Sequence, residues 1–204
     1  MARKPAPRAN QQRVRIAQEA ARIIREQGVR DYLVAKRKAA QRLAIFDRNV
    51  LPSNTEIAEA LSEQQRLFGG EEHAESLNGL RLAARQAMLL LNRFEPRLVG
   101  PVLEGTATAH SEVLLHVFAD APEAVALALM EHGIPYESAE RRVRMRDGRY
   151  VYVPVFRFSA GDTDVDATVF SLLGLREPPA SPVDGRPMRR ARLAEVEALL
   201  AEAV

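Results

Sequence analysis

The sequence predicts an α+β protein: a helical N-terminal region, then a mixed or antiparallel sheet with flanking helices. Three observations carry this. Apolar residues recur at helical spacing up to about residue 95, and at strand spacing after about residue 97. Helices come first and strands later, in the order of four helices, then β-β-α-β-β-β-α. Asp147-Gly148 lies between two strand-like runs, which is a hairpin signal.

Residues 1–9 are rich in Pro and Arg and are expected to form a disordered basic tail. Val14, Ala17, Ala20, Ala21 and Ile24 form one helical face, and Gly28 supplies the stop. A second helix is predicted over Asp31–Leu43, with Lys36, Arg37 and Lys38 pointing outward. Leu51-Pro52 breaks the chain. Ser53, with Glu56 at capping-box distance, then opens a helix that reaches about Phe68. Gly69-Gly70 reads as a turn, and a fourth helix runs from about Glu71 to Phe94.

Arg97–Glu104 reads as a strand with Pro101 at an edge or a bulge. Glu112–Phe118 is a second strand. Asp120 is expected to cap a helix over Pro122–His132. The runs Pro135–Arg146 and Arg149–Phe158 flank a two-residue Asp-Gly loop. A type I′ hairpin there sets Met145 opposite Tyr150 and Val143 opposite Tyr152, with Arg142, Arg144, Arg146 and Arg149 on the other face. Asp162–Phe170 is the last strand. A Pro/Gly-rich loop over 174–189 leads to a final helix over Ala191–Ala203. The expected organisation is a tail over 1–9, a helical region over 10–95 and an α/β domain over 96–204.

Composition excludes several classes. With 47% apolar and 27% charged residues, the chain is neither mainly disordered nor collagen-like. There is no run of 18 apolar residues, so no membrane span is expected. The opening MARKPAPRANQQRVRIAQ is basic without an apolar core, so a secretory signal is not expected and a cytoplasmic location is the default. Zero cysteines remove disulfides, thiolate catalysis and Cys-ligated zinc. Residues 1–50 carry 13 Lys/Arg against 4 Asp/Glu, whereas 51–204 carry 16 against 23. A basic arm on an acidic body points to an anionic partner, or to a solvated face docked on the chain's own acidic half.

The segment LEGTATAHSEVLLHVFAD, residues 103–120, places Gly105-Thr106 ahead of a strand opened by Glu112. This resembles the core of the nucleotidyltransferase superfamily, the DNA polymerase beta-like fold, over residues 97–170. There a strand ending in Gly-Gly/Ser is followed, about ten residues on, by an Asp-hydrophobic-Asp/Glu strand whose carboxylates hold two metal ions. The resemblance implies that Gly105 and Thr106 bind nucleotide. It implies that Glu112, with Asp164 or Asp166, is the catalytic and metal-binding candidate, using Mg²⁺ or Mn²⁺ and a nucleoside triphosphate. Two departures predict loss of activity. Only Ala107–Ser111 separates Gly105-Thr106 from Glu112, and Leu114 stands where the second carboxylate belongs. The expected function is therefore a catalytically inactive nucleotidyltransferase-like protein binding a nucleotide or nucleic acid.

Other features give the alternatives. DYLVAKRKAAQRL, LPSNTEIAEAL and SPVDGRPMRRARL resemble uncharacterised bacterial proteins, some labelled as a cell-wall amino-acid ligase. A phosphate-loop Gly-Lys-Thr/Ser triplet, which that label requires, does not occur. AARIIREQGVRDYLVAKRKAAQRL resembles the opening helices of a tetracycline-repressor-type helix-turn-helix protein, although TEIAEALSEQQRLF is acidic for a recognition helix. In this alternative, Lys36, Arg37, Lys38 and Arg42 contact nucleic-acid phosphates. A scaffold reading, with a protein partner or a homodimer on the N-terminal helices, is the third.

Overall fold

The structure is a computed structural model and describes residues 7–108 and 110–202. Residues 1–6 of the expected tail lie outside the described residues, and from Pro7 the chain is helical. The chain divides into two compact units. One comprises the described residues up to His73 with Thr108 and His110, and the other comprises Ala74–Ala107 and the described residues from Ser111.

The first unit holds α1 (Pro7–Gln27), α2 (Tyr32–Arg42) and α3 (Asn54–Phe68). Ile16, Ala20 and Ile23 of α1 bury against Ala35 and Ala39 of α2 and Ile57 of α3. Small residues on α2 allow close helix approach. Asp31 caps α2 by accepting from the backbone N–H groups of Leu33 and Val34. Ser53 and Glu56 form the expected reciprocal capping box on α3, an arrangement in which losing the cap side chain costs about 1 kcal/mol. Gly28 has φ +63, and a Cβ there would meet His110 Cβ at 2.8 Å, so the stop requires glycine twice over.

α4 (Gly70–Leu90) begins in the first unit and continues in the second. The division falls ahead of the texture change at residue 97. The reason is that Ala84, Ala87 and Met88 of α4 belong to the core that lines the sheet.

The second unit is built on five strands: β1 (Arg97–Val99), β2 (Val113–Phe118), β3 (Glu137–Arg144), β4 (Tyr150–Ala160) and β5 (Thr163–Phe170). Their order is β1-β2-β5-β4-β3, parallel only between β2 and β5. The sheet is mixed, as expected. Alternation sends Val113, Leu115, Val117, Val165, Ala167 and Val169 to one face. There they pack with α4, α6 (Glu123–Glu131) and α7 (Leu193–Ala201). The opposite face carries Leu114, His116 and Phe118 of β2 beside Asp166, Thr168 and Phe170 of β5.

Three expectations are corrected. The run Arg97–Glu104 is not one strand: β1 ends at Val99, Gly100 turns the chain at φ 70 and ψ −152, and α5 (Pro101–Glu104) follows. Pro101 suits the first helical position, where its missing N–H has no partner to lose. Asp120 does not cap α6; its carboxylate accepts from the Leu172 N–H at 3.2 Å. The hairpin register also differs by one. Arg144 pairs with Tyr150, Val143 with Val151 and Arg142 with Tyr152.

The cause of that last shift is the loop. Met145 and Arg149 close it through a 2.8 Å backbone bond, Gly148 N–H donates to Met145 C=O at 3.0 Å, and Gly148 has φ +86. This is a three-residue turn ending in a left-handed glycine, not a two-residue one. A slip of one residue exchanges the partners, so the arginines and tyrosines share a face.

Candidate functional site

The register places the predicted carboxylates. Val113 pairs with Val165 at the start of the parallel β2–β5 ladder, so Glu112, just before β2, and Asp164, early in β5, come to the same end of the sheet. Both line one cavity of about 400 Å³, together with Glu137, Arg157, Tyr136, Pro135, Phe158, Ser159 and Val165. That volume falls within the range of small-molecule sites. Tyr136, held edge-on against Phe156 at 5.4 Å between ring centroids, and Phe158 supply apolar wall. The carboxylates supply acceptors, and Arg157 the positive charge.

Asp166 does not line this cavity, although Arg157 joins the two. It is 1% exposed on the opposite face from the main core, and Arg141 grips both its oxygens at 3.0 and 2.7 Å. Thr168 donates its hydroxyl to the same carboxylate at 3.3 Å, and Arg157 Nε lies 3.5 Å away. Arg157 thus sits across the strands between Asp166 and Glu137, its register partners on β5 and β3.

In the layout that the resemblance implies, a two-metal centre has a second carboxylate at position 114 and a third on a neighbouring strand. Leu114 fills the first position, its Cδ1 lying 3.0 Å from where a Cβ on Gly100 would stand. Asp166, the β5 candidate level with it, is taken up by the bidentate pair with Arg141, with the half-exposed Arg157 3.5 Å away. Among the described residues no group of three His, Asp or Glu could hold a metal ion. The donor set does not fit a two-metal centre.

Gly105 and Thr106 are found at the end of α5, not at a strand end. Gly105 is the left-handed cap, at φ 77 and ψ 11. The Thr106 N–H donates to Pro101 C=O at 2.9 Å. The strand-end glycine is Gly100, which is hidden from the sequence when β1 is extended to Glu104. The available signal was the Gly-Pro pair, which cannot continue a strand ladder. Arg157, Glu137 and Tyr136 were also missed. The signal for Arg157 was its position as the one charge in the run YVYVPVFRFSA.

His116, 6% exposed, lies on the Asp166 face. Arg190 Nε donates to its Nδ1 at 3.0 Å, so the imidazole proton sits on Nε2. Burial holds its pKa well below the ordinary value, and the Arg190 and Arg141 charges add to this. Arg190 is itself pushed down to about 10, chiefly by burial and then by Arg97. Its guanidinium stacks over Phe118 and Phe170 at 5.1 and 5.3 Å, and Nη1 donates to Gly174 C=O at 2.6 Å.

The basic residues of α2 divide into two kinds. Lys36 Nζ donates to Pro52 C=O at 2.7 Å and to Asn54 Oδ1 at 2.9 Å, tying α2 to the start of α3. Arg42 pairs with Glu19 of α1 at 3.0 Å. Arg37 and Lys38 are exposed. Among the described residues no helix is long and apolar enough to cross a membrane. Compared with protein-family models, with curated proteins and with solved structures, the chain matches none.

Proposed function

We propose that this chain is a nucleotidyltransferase-like protein that binds a nucleoside phosphate rather than transferring one. The observation that carries this is the shared lining of one cavity by Glu112, Asp164 and Arg157 at the head of two parallel strands. The surrounding layout supports the same reading. A strand-end glycine, Gly100, precedes Glu112, and the ten residues 102–111 separate Gly100-Pro101 from that carboxylate. That interval is close to the ten or so residues of the resemblance, while Pro101 stands where the superfamily has Gly or Ser.

The chemistry of the cavity favours binding. Glu112, Glu137 and Asp164 can accept from ribose hydroxyls and from exocyclic amines of a base. Tyr136 and Phe158 offer surface to the base, and Arg157 is the group that suits a phosphate. Leu114 and the Arg141–Asp166 pair stand where catalysis would require free carboxylates.

Thermal unfolding with each ribonucleoside triphosphate, with and without Mg²⁺, tests this. A ligand at 100 times its dissociation constant stabilises by about 2.7 kcal/mol, a shift of several degrees for a chain of this size. The expected result is a rise in midpoint without added metal, reduced by Arg157→Ala. No shift with any nucleotide overturns the reading, and so does a shift that appears only with metal.

A further inference from the structure

We propose that the β3–β4 hairpin is a binding surface for single-stranded nucleic acid, with bases stacking on Tyr150 and Tyr152 and arginines holding phosphates. The surface follows from the loop at Asp147-Gly148. Because three residues close the hairpin, Arg142 faces Tyr152 and Arg144 faces Tyr150 on one side of the ribbon. The tyrosines are 53% and 67% exposed, where aromatic rings on this sheet are otherwise buried against helices or against Phe118 and Phe170. Two residues apart on a strand, they stand about 6.8 Å from each other on the same side. Tyr152 presents its ring to solvent and Tyr150 carries the Arg142 guanidinium, so ring and guanidinium together form the kind of platform on which successive bases stack.

Charge selects the partner. Arg142, Arg144, Arg146 and Arg149 lie along this ribbon and its loop. Arg149 is paired with Asp147. Among the described residues no carboxylate pairs with Arg142, Arg144 or Arg146. Glu140 is the one acid on the same face of β3 beyond Arg142. A polyanion is therefore favoured over an acidic side chain or two, and its repeating charge matches guanidinium groups on alternate residues. The Arg142 guanidinium already lies 3.8 Å from the Tyr150 ring centroid. That stacking holds both groups in place and leaves a guanidinium plane on which a base can continue the stack. Duplex bases are already stacked and cannot reach the rings, so the occupant is a single strand. None of these residues lines the cavity beside Glu112 and Asp164.

The test is fluorescence anisotropy of the full chain with a labelled 12-nucleotide RNA, the same sequence as DNA, and the corresponding duplex. The expected result is that a single strand binds more tightly than the duplex. The RNA and DNA arms show whether the 2′-hydroxyl contributes. Tyr152→Ala should weaken single-strand binding about tenfold, within the range for removing one base–aromatic stack, and Tyr152→Phe should keep it within about twofold. Replacing Arg144 and Arg146 by Gln should flatten the salt dependence by about 0.7 for each phosphate no longer neutralised. The thermal midpoint of Tyr152→Ala should match the parent, because the ring is exposed. No binding of either single strand overturns the proposal. So does equal affinity for duplex, or Tyr152→Ala binding that equals the parent while Arg37→Gln with Lys38→Gln abolishes it.

Discussion

Arg141 on β3 reaches across β4 to hold both oxygens of Asp166 on β5, at 3.0 and 2.7 Å. The carboxylate is 1% exposed, whereas the Arg141 side chain keeps 35% of its surface. Removing the acid would strand a half-buried guanidinium. Breaking a fully buried pair costs roughly 3–5 kcal/mol, and partial solvation of Arg141 and Arg157 reduces this to about 2–3 kcal/mol for Asp166→Asn. Urea unfolding measures it. Arg141→Met combined with Asp166→Asn should cost less than the sum of the two single changes. A destabilisation below about 0.5 kcal/mol for Asp166→Asn would mean the pair is not a structural tie.

The two glycines flanking α5 should differ in tolerance. Gly100 occupies a backbone region almost restricted to glycine, and an added Cβ would meet Leu114 Cδ1 at 3.0 Å. Gly105 is left-handed, with its nearest neighbour 3.9 Å from a new Cβ. Gly100→Ala should therefore destabilise by about 2–3 kcal/mol, and Gly105→Asn by less than about 1 kcal/mol. Equal losses in thermal or urea unfolding would contradict the placement of the turn at Gly100.

His116 gives a pH dependence with a definite sign. Its folded pKa lies well below the ordinary 6.5, because of burial first and then of Arg190 and Arg141. The unfolded imidazole therefore takes a proton before the folded one does. Stability should be level above pH 6.5 for this group, and should fall as pH drops from there toward the folded pKa. His116→Asn keeps an acceptor near the Nδ1 position for Arg190 and has no imidazole to protonate. The parent should lose more stability than His116→Asn between about pH 6.5 and 5, measured by chemical unfolding at each pH. Parallel curves would show that the histidine titrates normally.

Lys36 and Arg37 are neighbours with different work. Lys36→Ala removes two hydrogen bonds that join α2 to the start of α3, and should cost about 1–2 kcal/mol. Arg37→Ala, at an exposed position, should change stability by less than about 0.5 kcal/mol. Urea unfolding of the two variants distinguishes them. If Lys36→Ala leaves stability unchanged, its ammonium is free for a partner.

Local signals carried much of the fold into the sequence. The Ser53–Glu56 capping box, the Gly28 stop and the alternation in DTDVDATVF each depend on residues close in the chain, and each reads correctly. The errors arose where two local rules competed. Pro101 permits a strand edge or a helix start, and the Gly100 dihedral that decides between them is a tertiary outcome. Asp147-Gly148 permits a two- or a three-residue loop, and the Met145–Arg149 closure that decides between them sets the register. Pairing between distant segments was hidden altogether. Nothing near Asp166 announces Arg141, and nothing near His116 announces Arg190, 74 residues away. Glu112 was legible as a strand-opening acid, and Asp164 as one of two candidate carboxylates on the last strand. Their meeting with Arg157 and Tyr136 in one cavity depends on the parallel β2–β5 pairing.

The most direct test of a metal-independent nucleotide site is calorimetric titration of the four ribonucleoside triphosphates into the full chain, first in EDTA and then in Mg²⁺. A saturable heat is expected for at least one nucleotide in EDTA, with an affinity about tenfold weaker for Arg157→Ala, the effect of removing one charge-assisted hydrogen bond. No heat of binding in either buffer, or binding confined to Mg²⁺, would contradict it.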